Sequence, residues 1–188
     1  MQDTKKVGIF VDTSTLYHKV QRKFHKKLCY DAYVEVCDRL GSIIKSVAYG
    51  MQQHDEAGGF INCLNLAGFE TKFKRPRILK FGDQKLKLCN WDSVLTLDIV
   101  HLIDGGGVDV IVLGSTNFDL IPLVKWIRSL GILVVIFAAD VPKVFHEIAD
   151  KVIEITENEL VGDEVIAAKN DHIKDLRSLN VDTFGEAR

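Results

Sequence analysis

Side chains whose oxygen atoms could bind a hard cation come directly after two apolar stretches of the chain. Asp12 follows the apolar residues 7–11, and Asn117 and Asp119 follow the largely apolar residues 108–113. Clustered carboxylates repel one another unless a cation neutralises them, and Mg²⁺ or Mn²⁺ favours such oxygen ligands. A metal ion held in this way activates water and stabilises charge on a phosphodiester. The residue types therefore indicate metal-dependent phosphoester chemistry as a hypothesis.

Two further aspartates lie six positions apart in one segment with helical periodicity. They are Asp92 and Asp98, within the predicted helix 92–104. Leu97 and Ile99 flank the second aspartate, so we expect its carboxylate near or within the protein, where it needs a partner, a hydrogen bond or a metal. Aspartates at strand ends and helix caps are often purely structural. These residues alone therefore predict an α/β domain with a candidate acidic site.

The elements that must position these side chains alternate between strand and helix. The run 108–113 is β-branched and too short for a helix, which predicts a buried strand. Small polar residues then form a turn, and the apolar positions shift to helical spacing from Phe118 until Gly131. Most predicted strands are apolar throughout, as in a parallel sheet covered on both faces. We expect a three-layer α/β/α fold with a mainly parallel central sheet, whose carboxyl edge collects the acidic side chains.

Composition places the chain among ordinary globular proteins. It has 188 residues, 47% of them hydrophobic and 27% charged, with a net charge of −2. We expect one domain over residues 1–160 and a polar, partly helical tail over residues 161–188. No apolar run approaches the ~20 residues of a membrane span, and no signal-peptide pattern is visible. The four cysteines lack zinc-site spacing, which favours buried free thiols and a cytoplasmic location.

A basic segment, residues 69–88, precedes the predicted central helix and is expected to form one or two strands. Its phenylalanines, Phe73 and Phe81, could stack on bases while its cations follow a phosphate backbone. The alternative is a solvated edge whose charge discourages aggregation. A basic face on the predicted helix 16–27 could extend the same surface. The basic residues of the segment are Lys72, Lys74, Arg75, Arg77, Lys80, Lys85 and Lys87.

Three motifs, taken together and in order, resemble the NYN domain family in its LabA-like (DUF88) branch, part of the PIN-like nuclease superfamily. They are residues 10–17 (Phe-Val-Asp-Thr-Ser-Thr-Leu-Tyr), residues 90–92 (Asn-Trp-Asp) with Asp98, and residues 115–124 (Ser-Thr-Asn-Phe-Asp-Leu-Ile-Pro-Leu-Val). The resemblance covers roughly residues 7–160. It implies a PIN-like, Rossmannoid α/β/α fold and a metal-dependent ribonuclease-type site that uses Mg²⁺ or Mn²⁺.

The resemblance also implies roles for single residues. Asp12, Asp98 and Asp119 would hold the metal, and Asp92 and Thr15 would support the site. Ser115 matches the family's serine and would orient neighbouring carboxylates. The catalytic set that follows from the resemblance is Asp12, Asp98, Asn117, Asp119 and Ser115.

Two positions depart from the family's pattern. Asn117 stands where the family usually has aspartate, and Thr15 where it usually has asparagine. Asparagine keeps a carbonyl ligand but removes one negative charge, which should lower metal affinity. One hypothesis is therefore a metal-dependent ribonuclease. The alternative is a catalytically weakened or inactive PIN-like module that binds RNA or a protein partner. Action on DNA, the preferred substrate and homo-oligomer formation stay open at this point.

Overall fold

The computed structural model describes residues 4–52, 58–81 and 84–162, so the predicted tail beyond residue 162 lies outside the described residues. Within these ranges strands and helices alternate along the chain. The strands are β1 (Lys6–Asp12), β2 (Ser42–Met51), β3 (Glu70–Lys74), β4 (Arg77–Phe81), β5 (Gln84–Leu88), β6 (Val110–Gly114), β7 (Leu133–Ala138) and β8 (Lys151–Glu154). The α-helices are α1 (Thr13–Phe24), α2 (Tyr30–Asp38), α3 (Gly58–Leu66), α4 (Asp92–Asp104), α5 (Ile121–Ser129) and α6 (Lys143–Ile148).

Six of these strands form one parallel sheet in the order β3-β2-β1-β6-β7-β8. Its central strands carry the core, where Ile9, Ile111 and Ile136 are fully buried. Such strands lie under helices on both faces, which explains their unbroken apolar runs. The predicted three-layer α/β/α fold with a mainly parallel sheet is confirmed. No helix in the described ranges is long and apolar enough to span a bilayer.

The basic segment differs from the prediction of one or two strands, because it forms three. β3 joins the edge of the main sheet beside β2, whereas β4 and β5 pair only with each other as an antiparallel hairpin. Helix α1 also starts earlier than predicted, at Thr13, because Asp12 caps it directly, and it ends at Phe24. The helix predicted from residue 55 is observed from Gly58, and residues 53–57 lie outside the described part.

All four cysteines are free thiols, but only Cys37 is fully buried. Burial raises the pKa of its thiol to about 12. Because the thiolate is the reactive form, Cys37 is inert at neutral pH. Cys29, Cys63 and Cys89 are only partly buried, so the prediction of buried thiols holds for one of the four.

Candidate functional site

Asp12 ends β1 and caps the helix that follows. Its Oδ1 accepts hydrogen bonds from the backbone N–H groups of Ser14 (3.0 Å) and Thr15 (3.2 Å), and its Oδ2 accepts one from the Thr15 hydroxyl (2.6 Å). The Thr13 hydroxyl donates to the carbonyl of Tyr49, which ties the start of α1 to β2. The carboxylate of Asp12 is therefore an N-cap, a role that uses both of its oxygens.

Asp98 lies on α4 and meets donors from two neighbouring strands. The Tyr49 hydroxyl donates to Oδ2 across 2.5 Å, and Lys72 Nζ lies 2.9 Å from Oδ1 and 2.8 Å from Oδ2. Tyr49 on β2 and Lys72 on β3 are partners in the sheet register, so the pairing of these strands brings both donors to one carboxylate. The sequence predicted a partner for Asp98 but did not identify either residue, since the β2–β3 register is not visible in the chain.

The charges in this group complement one another. Burial raises the pKa of Asp98, but the hydrogen bonds from Lys72 and Tyr49 outweigh it and hold the pKa below its usual 3.8. The hydrogen bond to Asp98 is the main reason that the pKa of Lys72 is raised. Burial, and then the bond to the carboxylate, raise the pKa of Tyr49 well above its usual value. At neutral pH the group is an ionised carboxylate with one ammonium and one hydroxyl donor.

Asn117 follows β6 and connects it to the start of α4. Its Oδ1 accepts from the backbone N–H of Asp119 (3.2 Å), which caps the short 3-10 helix Phe118–Leu120. Its Nδ2 donates to Asp92 Oδ2 across 2.7 Å, and Asn90 Nδ2 donates to the same oxygen across 2.6 Å. Both ends of the Asn117 amide are thus used, one as acceptor and one as donor.

The remaining predicted site residues after β6 differ in exposure. Ser115 is buried, and its Oγ accepts from the backbone N–H of Asn117 (3.3 Å), so it shapes the turn. Asp119 is exposed, and its carboxylate has no hydrogen-bond partner within the described part of the chain. The structure brings Asp92 and Asn117 into contact, whereas Asp12 and Asp98 are each occupied by other groups.

Lys74 on β3 lies against the start of α4. Its Nζ donates to the carbonyl of Asn90 (2.6 Å) and lies 4.0 Å from the ring centroid of Trp91. The Trp91 indole N–H in turn donates to the carbonyl of Gly50 (2.9 Å). Together, Lys72 and Lys74 bring the positive charge of β3 directly beside the polar residues of α4.

The other predicted RNA-contacting cations lie further along this segment. Arg75, Arg77 and Lys80 are exposed, while the side chains of Lys85 and Lys87 lie outside the described part. Phe73 does not present its ring for base stacking. It is partly buried, and its ring contacts that of Phe60 at a centroid distance of 6.1 Å.

The basic face of α1 is largely used within the fold. Arg22 and Lys23 form ion pairs with Asp140, and Lys23 also pairs with Glu154. Lys19 donates to the backbone carbonyl of Asp140 across 2.8 Å. These contacts hold α1 against the ends of β7 and β8, which gives its basic side chains a structural role. The extension of the RNA surface onto this helix stays a prediction.

The donor set does not fit a divalent metal ion as it is arranged. In residues 4–52, 58–81 and 84–162, no three or more His, Cys, Asp or Glu side chains are grouped so as to hold one. The cap at α1 uses the Asp12 oxygens, and Lys72 and Tyr49 use those of Asp98. Asp119, the third predicted ligand, is exposed after β6.

The fold and site define a three-layer α/β domain with polar side chains at the carboxyl edge of its central parallel strands, the edge where such sheets bind ligands. Within this class, the sequence profile of the NYN domain matches residues 6–156. The chain therefore belongs to the NYN domain family, a family of PIN-like nucleases.

Among solved structures, the chain is similar to a protein of unknown function from Vibrio parahaemolyticus. The two share 21% identity with a TM-score of 0.74, over 86% of this chain and 99% of that one. At this identity the likeness shows a common fold. MurG from Acinetobacter baumannii gives a TM-score of 0.42 at 13% identity, over 85% of this chain and 44% of that one, which is too low to support an argument. No curated protein matches the chain.

Proposed function

We propose that this NYN domain binds RNA across a surface formed by β3, the β4–β5 hairpin and the carboxyl ends of β1 and β6. One observation carries the proposal: Lys74, exposed at the end of β3, places a cation beside Asn90 and Trp91 at the carboxyl edge of the sheet. The hairpin extends this charge outward through the exposed Arg77 and Lys80. Membership of a nuclease family makes RNA the expected ligand.

The charge is local, which matters for the kind of ligand. With a net charge of −2, the protein as a whole does not attract a polyanion. A basic strand and hairpin beside a crevice can still contact successive phosphates, and each contact releases counterions from the nucleic acid. This arrangement favours a strand of RNA that lies across β3 and enters the crevice.

Two exposed aromatic residues follow β1 and β6 and favour single-stranded RNA as the ligand. Tyr17 is 50% exposed in α1, and Phe118 is 58% exposed shortly after β6, although its ring also contacts that of Phe145 at a centroid distance of 6.0 Å. Both residues follow the carboxyl ends of the adjacent parallel strands β1 and β6, Tyr17 in the second turn of α1 and Phe118 in the 3-10 helix. Exposed rings of this kind stack on unpaired bases, which adds about 1–3 kcal/mol per base.

Metal-dependent RNA cleavage, with Mg²⁺ or Mn²⁺ as cofactor, is the second candidate function. It is favoured by family membership and by the exposed carboxylate of Asp119, which has no hydrogen-bond partner among the residues that the structure describes. The contacts of Asp98 favour binding over cleavage, because the Lys72 ammonium already neutralises this carboxylate from a bidentate position. A protein partner for the same module stays a prediction from the sequence.

The test uses the purified chain with end-labelled single-stranded and hairpin RNA, in chelator or in Mn²⁺. Filter binding measures affinity, and a denaturing gel measures cleavage. Binding without cleavage in both conditions is expected, and Arg77→Ala with Lys80→Ala should weaken it. The matched control replaces the exposed Lys125 and Lys143, which lie on α5 and α6.

Two results would change the conclusion. Cleavage that requires Mn²⁺ and disappears in Asp98→Asn would show that the protein is a metal-dependent ribonuclease and not only an RNA-binding module. Equal loss of affinity in the hairpin variant and its control would show that the basic hairpin is not the RNA surface.

A further inference from the structure

We propose that Lys72 and Asn117 satisfy two aspartates of α4, Asp98 and Asp92, in the way that a divalent cation otherwise would. Each residue supplies a hydrogen-bond donor to one of these two aspartates. Lys72 contacts Asp98, and Asn117 contacts Asp92. Both aspartates thus have a hydrogen-bond donor without a metal ion.

The ammonium of Lys72 lies where a cation bound to Asp98 would have to approach. It is within 2.9 Å of one carboxylate oxygen and 2.8 Å of the other, so the contact is bidentate. The side chains of Lys72 and Asp98 are 30% and 20% exposed, which limits competition from water. Tyr49 donates to the same carboxylate from the adjacent strand. A metal ion could bind both oxygens of Asp98 only after displacing this lysine.

The side-chain amide of Asn117 supplies the hydrogen-bond donor at Asp92. Its carbonyl must accept from the Asp119 N–H, so its NH₂ group must face Asp92 Oδ2 at 2.7 Å. An aspartate at position 117 would place a second carboxylate oxygen at that distance. Two carboxylates so close repel each other, so either one of them binds a proton or a cation must lie between them. The neutral amide removes that requirement.

The two contacts come from different parts of the sheet, which makes the arrangement specific. Lys72 lies on the edge strand β3, and Asn117 lies in the turn after the central strand β6. Asp92 and Asp98 of α4 therefore each have a separate donor. This inference concerns metal alone and does not depend on RNA being the ligand.

The experiment measures binding of MnCl₂ by calorimetry and its effect on thermal unfolding, without RNA. Four proteins are compared: wild type, Lys72→Met, Asn117→Asp and the double variant. Wild type should show no heat of binding and no change of Tm on going from chelator to Mn²⁺. The double variant should lose several degrees of Tm in chelator, recover them in Mn²⁺, and lose that recovery when Asp98→Asn is added.

Matched controls separate the site from net charge. Lys45→Met removes a lysine of the neighbouring strand that pairs with Glu70, and Asn65→Asp adds a charge at the end of α3, before β3 begins. Neither control should gain a response to Mn²⁺. Mn²⁺ binding by wild type that Asp98→Asn abolishes would overturn the proposal. A folded double variant without any response to Mn²⁺ would also overturn it. If the double variant does not fold, the single variants are compared in the same way, and no response to Mn²⁺ in either would overturn the proposal.

Discussion

The side-chain amide of Asn117 donates to Asp92 Oδ2 across 2.7 Å, while its carbonyl oxygen accepts from the Asp119 N–H across 3.2 Å. One neutral side chain therefore both caps the 3-10 helix after β6 and holds the start of α4 against it. Because the donor and acceptor ends of an amide are distinct, this connection depends on asparagine and not only on a side chain of that size.

Asn117→Asp should lower stability in a pH-dependent way. In chelator at neutral pH, we expect the free energy of unfolding to fall by about 1–3 kcal/mol, because a carboxylate faces Asp92 in place of a donor. One of the two carboxyls then binds a proton more tightly when folded. The stability gained from this proton is present at low pH and lost as the pH rises. The difference in unfolding free energy between the variant and wild type should therefore shrink below about pH 5. Urea unfolding across pH measures it, and an equal deficit at all pH values would contradict the explanation.

Replacing Asp12 should separate its role as a helix cap from any role of its charge. Asp12→Ala removes the acceptor for Ser14 and Thr15 and should cost about 1 kcal/mol of unfolding free energy. Asp12→Asn keeps an acceptor oxygen and should cost clearly less. Urea unfolding of both variants makes the comparison, and equal losses would mean that the charge, and not the cap, stabilises the fold.

The ion pair at Asp98 should appear in the acid stability of the protein. The pKa of Asp98 is held below 3.8, so its contribution is complete above that value and is lost as the pH falls through the lower folded pKa. Asp98→Asn should therefore be less stable than wild type near neutrality, with a gap that narrows below about pH 4. Asp104→Asn, an exposed change on the same helix, is the control. A constant gap across acid pH would contradict the assignment.

Lys74→Ala should reduce the salt dependence of RNA binding. A lysine that contacts one phosphate contributes about 0.7 to the slope of log affinity against log salt for single strands. We expect weaker binding with a slope that is smaller by about that amount. Lys125→Ala serves as the control, and affinity is measured by filter binding at several salt concentrations. A loss of affinity with an unchanged slope would show that Lys74 acts only by holding Trp91 in place.

The fold was largely predictable because its central strands are distinctive. β1, β6 and β7 are short apolar runs, each followed by a helical segment, and such runs have few alternatives to a buried parallel strand. The basic segment was less predictable, since its mixed polar and apolar residues suit an edge strand and a hairpin equally well. Only the packing of β3 beside β2 decides where it divides.

The sequence by itself determined which groups are available at the site. It places Asp12 at a strand end, two aspartates on one helix, and a neutral amide at position 117. Tertiary structure decided which of these groups meet. Lys72 reads as one cation among seven in the basic segment, yet the β2–β3 register sets it beside Tyr49 and turns both toward Asp98. The physical reason is that residue type fixes what a side chain can donate or accept, whereas partners 26 and 49 positions away are chosen only by the packing of strands and helix.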